Sequence, residues 1–168
     1  MSTKSKGYML IKPLNENLNL VLQSYLKENV IYKIIIALFN GKHYSLEKWA
    51  QILYVNKVTL KNILKKFNMF LEKGGIKLKF RVLKLDGEEI NIRYFYIAFF
   101  YLIKNYGINI NSRCPFKKVI ENIVKSYGVK INLNLLTSIF IVCINRNLRK
   151  NNIKQKIEIN SILDYKQS

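Results

Sequence analysis

Between Tyr44 and Ile92 the apolar residues recur with a helical period, pause for three residues, recur again with a helical period and then alternate. Few folds accommodate that order in so short a stretch. Leu46, Trp49, Ala50 and Leu53 are spaced by three and four and make one helical face. Ser45 stands where an N-cap belongs, but Lys48 occupies the place at which a capping box would carry Glu. Tyr54-Val55-Asn56 fits a turn, with Val55 as the apolar residue that lets two helices pack at an angle and Asn56 as the next cap. From Lys57 onward, Leu60, Ile63, Leu64, Phe67 and Leu71 share a second face, whereas Lys57, Val58, Lys61, Asn62, Lys65 and Lys66 lie elsewhere. Gly74-Gly75 then ends the helix.

The next residues alternate. Ile76, Leu78 and Phe80 are interleaved with Lys77, Lys79 and Arg81, which describes a half-buried strand with a cationic outer side. Val82–Leu85 reads as a short return strand, the tip falls near Arg81, and Asp86-Gly87 reads as the turn that closes the unit. Helix, tight turn, cationic helix and basic hairpin make a winged helix-turn-helix, in which one helix enters a DNA groove and the ribbon lies beside it. The fold class expected is therefore mainly α, with a short β-hairpin wing followed by a small helical region.

Charge strengthens this reading. From Lys57 to Lys84 there are nine Lys or Arg and a single acid, Glu72. A charge run is ordinarily a solvated face, but this one coincides with the two elements that touch DNA in such an architecture. The whole 168-residue chain carries a formal net charge of +19, which calls for a polyanionic partner. Heavy use of Asn, Lys and Ile suits an AT-rich genome and is one source of that charge, yet it does not thin the acids to one across the same stretch. Double-stranded DNA is the expected partner. Thr59, Lys61 and Asn62 are the candidates for base edges; Lys57, Lys65, Lys66, Lys77, Lys79 and Arg81 are the candidates for phosphates.

Other chemistry finds little support. The single histidine, His43, offers no zinc site of ordinary spacing, and Cys114 and Cys143 read as separate free thiols, one of them buried, in a reducing cytoplasm. Asp86, Glu88 and Glu89 read as a helix start, and Glu89 with Arg93 as a helix-surface or structural ion pair. Trp49, Phe95, Tyr96, Phe99, Phe100 and Tyr101 fall at helical spacing and read as core. No enzyme activity, cofactor, metal or small-molecule substrate is expected. Nor is a membrane: there is no secretory pattern in Met1–Leu10, and the most apolar runs, Tyr94–Ile103 and Leu135–Ile144, have half of the roughly 20 residues a span needs. The expected location is cytoplasmic, on the nucleoid.

Along the chain, residues 1–14 read as a flexible basic lead-in, 15–92 as the winged unit, 93–153 as a helical region and 154–168 as a polar tail. Two helical pieces meet near Lys27–Asn29, and the second, Val30–Phe39, is stopped by Gly41. A long helix is expected from Glu88 to about Tyr106, with Ile92, Phe95, Phe99 and Leu102 inward and Gly107 at its end. After a loop over Asn111–Pro115, further helices are expected over Phe116–Tyr127 and Leu133–Lys150.

Three stretches resemble the Mga/AtxA-type virulence regulators of Gram-positive bacteria. In the cationic helix Thr59, Leu60 and Asn68 match that family's signature, with Asn56 where Ser is usual at the cap. Leu85–Phe100 is similar to its Gly-x-Glu-x-x-Ile-Arg-x-Phe stretch through Gly87, Glu89, Ile92, Arg93 and Phe95. Cys114-Pro115-Phe116 and Leu135–Asn147 are similar, more loosely, to the start of a phosphotransferase-system regulatory domain. The likeness covers about Gln23 to Ile153, so further domains of full-length members find no room and the regulatory domain is partial. It implies a transcription regulator, with the 93–153 region a partial regulatory-like domain. Where that motif places a phosphorylated histidine this chain has Ile139, so transfer of phosphate from the sugar carrier is not expected. Two rivals stay open: a winged-helix plasmid or phage replication initiator, and a truncated regulator acting by pairing with a full-length relative. Among protein partners, this reading leaves room for a homodimer or for pairing with a related regulator through the C-terminal helices.

Overall fold

The structure is a computed structural model that describes residues 2–3, 7–8, 18–105, 117–127 and 132–153. It is mainly α with one substantial hairpin. Near the N-terminus Ser2–Thr3 (β1) pairs antiparallel with Gly7–Tyr8 (β2). Then come α1 (Leu18–Glu28), α2 (Val30–Phe39), α3 (Leu46–Leu53), α4 (Lys57–Glu72), the strands β3 (Ile76–Lys79) and β4 (Lys84–Gly87), and the helices α5 (Glu89–Asn105), α6 (Lys117–Tyr127) and α7 (Leu133–Leu148). The loop at Asn111–Pro115, the helix stop at Gly107 and the tail beyond 153 lie outside the described residues.

The helix boundaries follow local chemistry. Asn29 starts α2 by accepting from the N–H groups of Ile31 and Tyr32, and this cap separates the two N-terminal pieces. Ser45 accepts from Lys48 N–H to start α3, and Asn56 accepts from Val58 N–H to start α4. Asn132 does the same for α7 with Asn134 and Leu135. Between α3 and α4 the chain reverses through Tyr54, whose φ of 52° is left-handed.

The core lies where α2, α3, α4, the hairpin and α5 meet. Ile34, Ile35 and Leu38 of α2 pack with Trp49 of α3, Leu60, Leu64 and Leu71 of α4, Ile76, Leu78 and Leu83 of the hairpin, and Ile92, Tyr96 and Phe100 of α5. Phe39 joins α2 to α5, its ring 4.9 Å from Tyr96 and 4.6 Å from Phe100. Phe67, on the same face of α4 as Leu60, Leu64 and Leu71, is half-buried and meets Phe95 at 6.2 Å. No helix among the described residues is long and apolar enough to cross a membrane.

Two expectations need correction. Asp86-Gly87 is not a turn: β3 and β4 pair antiparallel with Lys77 opposite Asp86 and Ile76 opposite Gly87, so the return strand is Lys84–Gly87, later than expected. The glycine serves a long-range approach instead. A Cβ at Gly87, whose φ is 151°, would lie 2.6 Å from the carbonyl oxygen of Gly75. The second correction concerns α5, which begins at Glu89. Its inward residues are Ile92, Tyr96, Phe100 and Ile103, with Phe95 and Phe99 half-buried and Leu102 54% exposed. Apolar side chains nearly encircle this helix, so its period does not single out the buried side; its packing partners do, Phe39 of α2 on one side and α7, whose Val142 is fully buried in the same core, on another.

Candidate nucleic-acid interface

The expected binding residues are brought to solvent by two elements with one core behind them. Leu60, Leu64 and Leu71 fix the rotation of α4 by burying one side. With about 3.6 residues per turn, Val58, Asn62, Lys65 and Met69 then form a ridge along the opposite side. Thr59, Lys66 and Phe70 make one flank of that ridge, and Lys57 and Lys61 lie on the other. Every one of Lys57, Thr59, Lys61, Asn62, Lys65 and Lys66 is exposed. On the hairpin, burial alternates strictly along β3, so Lys77 and Lys79 face out while Ile76 and Leu78 face in; Arg81 is exposed in the turn.

Specific bonds fix the hairpin to the helices. Asn68 of α4 accepts from Leu78 N–H at 2.6 Å and donates to Glu72 at 2.9 Å. At the tip, Leu83 is fully buried and its N–H donates to the Tyr44 carbonyl at 2.9 Å. His43 Nδ1 lies 3.4 Å from the Leu83 carbonyl oxygen. The wing is therefore pinned at both ends, one to α4 and one to the segment that enters α3. Its cations are held at a set distance from α4.

The nine candidates are not electrostatically equal. Lys57 is paired with Glu47 of α3, and Lys79 with Asp86 across the hairpin at 2.7 Å. The Lys57 ammonium, then the residue's own backbone N–H and the Ser45 hydroxyl, hold the Glu47 carboxyl down at about 2. Lys61, Lys65, Lys66, Lys77 and Arg81 make no ion pair among the described residues. Five of the candidate cations thus face solvent without a counter-charge among the described residues. Sequence pattern did not single out Glu47, because its partner lies across a helix–turn boundary. Spacing puts Val58 off the buried face, and its 66% exposure places an aliphatic side chain on the ridge.

Behind the interface, α7 is locked to α5 through buried charge. Glu89 Oε1 accepts from Arg93 Nε at 3.0 Å and from Arg146 Nε at 2.9 Å, and Oε2 accepts from Arg146 Nη2. Arg93 continues to Asn147 Oδ1 at 2.6 Å and to the Asn151 carbonyl at 2.8 Å. Arg146 also lies over the Tyr96 ring, 5.9 Å from its centroid. Burial alone would raise the Glu89 pKa, but the hydrogen bonds from Arg146 and Arg93 outweigh it and hold the carboxyl below its ordinary value. The pair expected from i,i+4 spacing is thus structural, and it has a third member from a distant helix. On α7, Ile139 and the free Cys143 are half-buried. His43, the single histidine of the sequence, is exposed and lies ahead of α3, not on α7.

Among proteins of known sequence, the model of the Mga helix-turn-helix domain matches residues 14–100, just over half of this chain. The capsule synthesis positive regulator AcpB of Bacillus anthracis is 25% identical over 139 residues, covering 83% of this chain and 28% of that protein. The anthrax toxin expression trans-acting positive regulator of Bacillus anthracis is 29% identical over 102 residues, 61% of this chain and 21% of that protein. The chain therefore spans under a third of the length of either relative.

Proposed function

Since the chain belongs to the Mga helix-turn-helix domain family, we propose that it is a transcription regulator that binds duplex DNA through α4 and the β3–β4 wing. The observation that carries this reading is the set of five exposed cations without counter-charges, Lys61, Lys65, Lys66, Lys77 and Arg81, on two elements tied together by Asn68. A rigid pair of basic surfaces suits a duplex, whose phosphates flank the groove that a helix enters. In this reading Lys65, Lys66, Lys77 and Arg81 hold phosphates, joined by Lys57 and Lys79 when DNA displaces their carboxylate partners. Asn62 approaches base edges from the ridge, and Thr59 and Lys61 do so from its flanks.

Both relatives are named positive regulators, which supports activation in preference to repression. The winged unit and the α5–α7 region act as a joined body in this proposal, with α7 available for pairing with another copy or a relative. The site of action is the nucleoid. Crosslinked-DNA pull-down with sequencing tests the proposal. Discrete enrichment upstream of transcription units, lost in Asn62→Ala, is expected. Enrichment confined to iterated origin repeats would instead favour a replication initiator, and no enrichment with retained capture of a full-length relative would favour a truncated partner.

A further inference from the structure

Val58 sits where an aliphatic side chain does nothing for the fold. It lies in the first turn of α4, is 66% exposed, and points away from the buried Leu60–Leu64 side. A β-branched residue there is a poorer helix former than alanine. Its neighbours on the helix surface are Asn62 four residues on, the lysines at 57, 61 and 65, and Thr59. Within the first two turns of α4 it is the one exposed apolar side chain; exposed Tyr54 precedes the helix, and Met69 and Phe70 lie about three turns on, so its own surface is too small for a protein-docking patch. It has the size and character to meet a single methyl group. The only base-edge methyl in the major groove is that of thymine, and the amide best matched to adenine N6 and N7 is that of Asn or Gln.

Resting on the DNA-binding reading above, we infer that the ridge of α4 reads A·T base pairs, with Val58 packed on a thymine methyl and Asn62 hydrogen-bonded to an adenine. Four residues of helix rise about 6 Å, close to two base-pair steps of about 3.4 Å. The thymine and adenine therefore lie within about two steps of each other. The N-terminal half of a recognition helix is the part that meets base edges, and both residues are in the first two turns of α4. Met69, the last member of the ridge, lies toward the other end and takes no part.

The test uses the full chain and a random pool of 24-base-pair duplexes from which bound molecules are selected. The selected sequences are then resynthesised with deoxyuridine for thymidine, or with 7-deazaadenine for adenine. Loss of one buried methyl should weaken wild-type binding by about fourfold, and loss of adenine N7 should weaken it by about tenfold. Val58→Ala should bind the thymidine and deoxyuridine duplexes equally, while keeping its response to 7-deazaadenine. Asn62→Ala should show the converse. Thermal melts of both variants check that the fold is intact. Equal wild-type binding of thymidine and deoxyuridine duplexes, with binding itself preserved, would overturn this inference and leave the DNA-binding reading standing. Absence of binding to any duplex at low salt would overturn both.

Discussion

Removing the Glu89 carboxylate should unfold this protein more readily than removing any surface acid. In Glu89→Ala, Arg93 keeps Asn147 and the Asn151 carbonyl, but among the described residues Arg146 keeps only the face of the Tyr96 ring. The side chains involved are 9–13% exposed, so little water is at hand to replace the lost acceptor. Breaking a buried pair on one side costs about 3–5 kcal/mol; with Arg93 still bonded, the lower end, about 3 kcal/mol, applies. For a chain of this size that lowers the melting temperature by about 6–12 °C. Arg146→Met should cost less, because Glu89 retains Arg93. The pH dependence has a defined sign. The folded pKa of Glu89 lies below the ordinary 4.5, so its contribution is complete above about 4.5 and is lost as pH falls through the folded value. The stability difference between wild type and Glu89→Gln should narrow over that acid range. Circular-dichroism melts and urea titrations of the variants read both effects. A melting shift under about 2 °C in Glu89→Ala would show that the α5–α7 charge network does not hold the helices together.

Trp49→Ala removes a ring that is 2% exposed and should cost about 3–5 kcal/mol, whereas half-buried Phe67→Ala should cost less; equal melts would mean that the faces of α3 and α4 are misassigned. Asn68→Ala strands the Leu78 N–H and should destabilise by about 1–3 kcal/mol, with hydrogen exchange at that amide accelerating before exchange in α5. Glu47→Gln frees Lys57 and should tighten duplex binding, steepening the log–log salt dependence by about one unit; unchanged affinity would mean that Lys57 stays clear of phosphate.

Much of the helical framework was legible because its signals are local. Ser45 and Asn56 start their helices as their side-chain chemistry dictates, and glycine follows α4 where a chain must turn. The exposed face of α4 followed from the spacing of Leu60, Leu64 and Leu71 alone. What escaped were pairings between residues far apart. Asp86-Gly87 carries a strong turn signal, but the positive φ at Gly87 answers to the approach of Gly75, 12 residues earlier in sequence. Glu89 and Arg93 declared themselves through i,i+4 spacing, while Arg146, 57 residues away, gave no periodic trace. In α5 the aromatic side chains run all the way round, so hydrophobicity could not choose a face, and contact with Phe39 of α2 and with α7 chose it instead. The same limit hid Glu47, which neutralises one of the cations that sequence alone treats as equivalent to its neighbours.

The salt dependence of duplex binding tests the central claim most directly. Fluorescence anisotropy of a labelled 24-base-pair duplex, titrated between 50 and 200 mM salt, gives the slope of log affinity against log salt. The four cations assigned to phosphates that carry no counter-charge among the described residues, Lys65, Lys66, Lys77 and Arg81, give a slope of about −3.6, and the Lys65→Ala/Lys66→Ala double variant should fall to about −1.8. A wild-type slope near zero, or a double variant indistinguishable from wild type, would contradict the assignment of α4 and the wing as the DNA-binding surface.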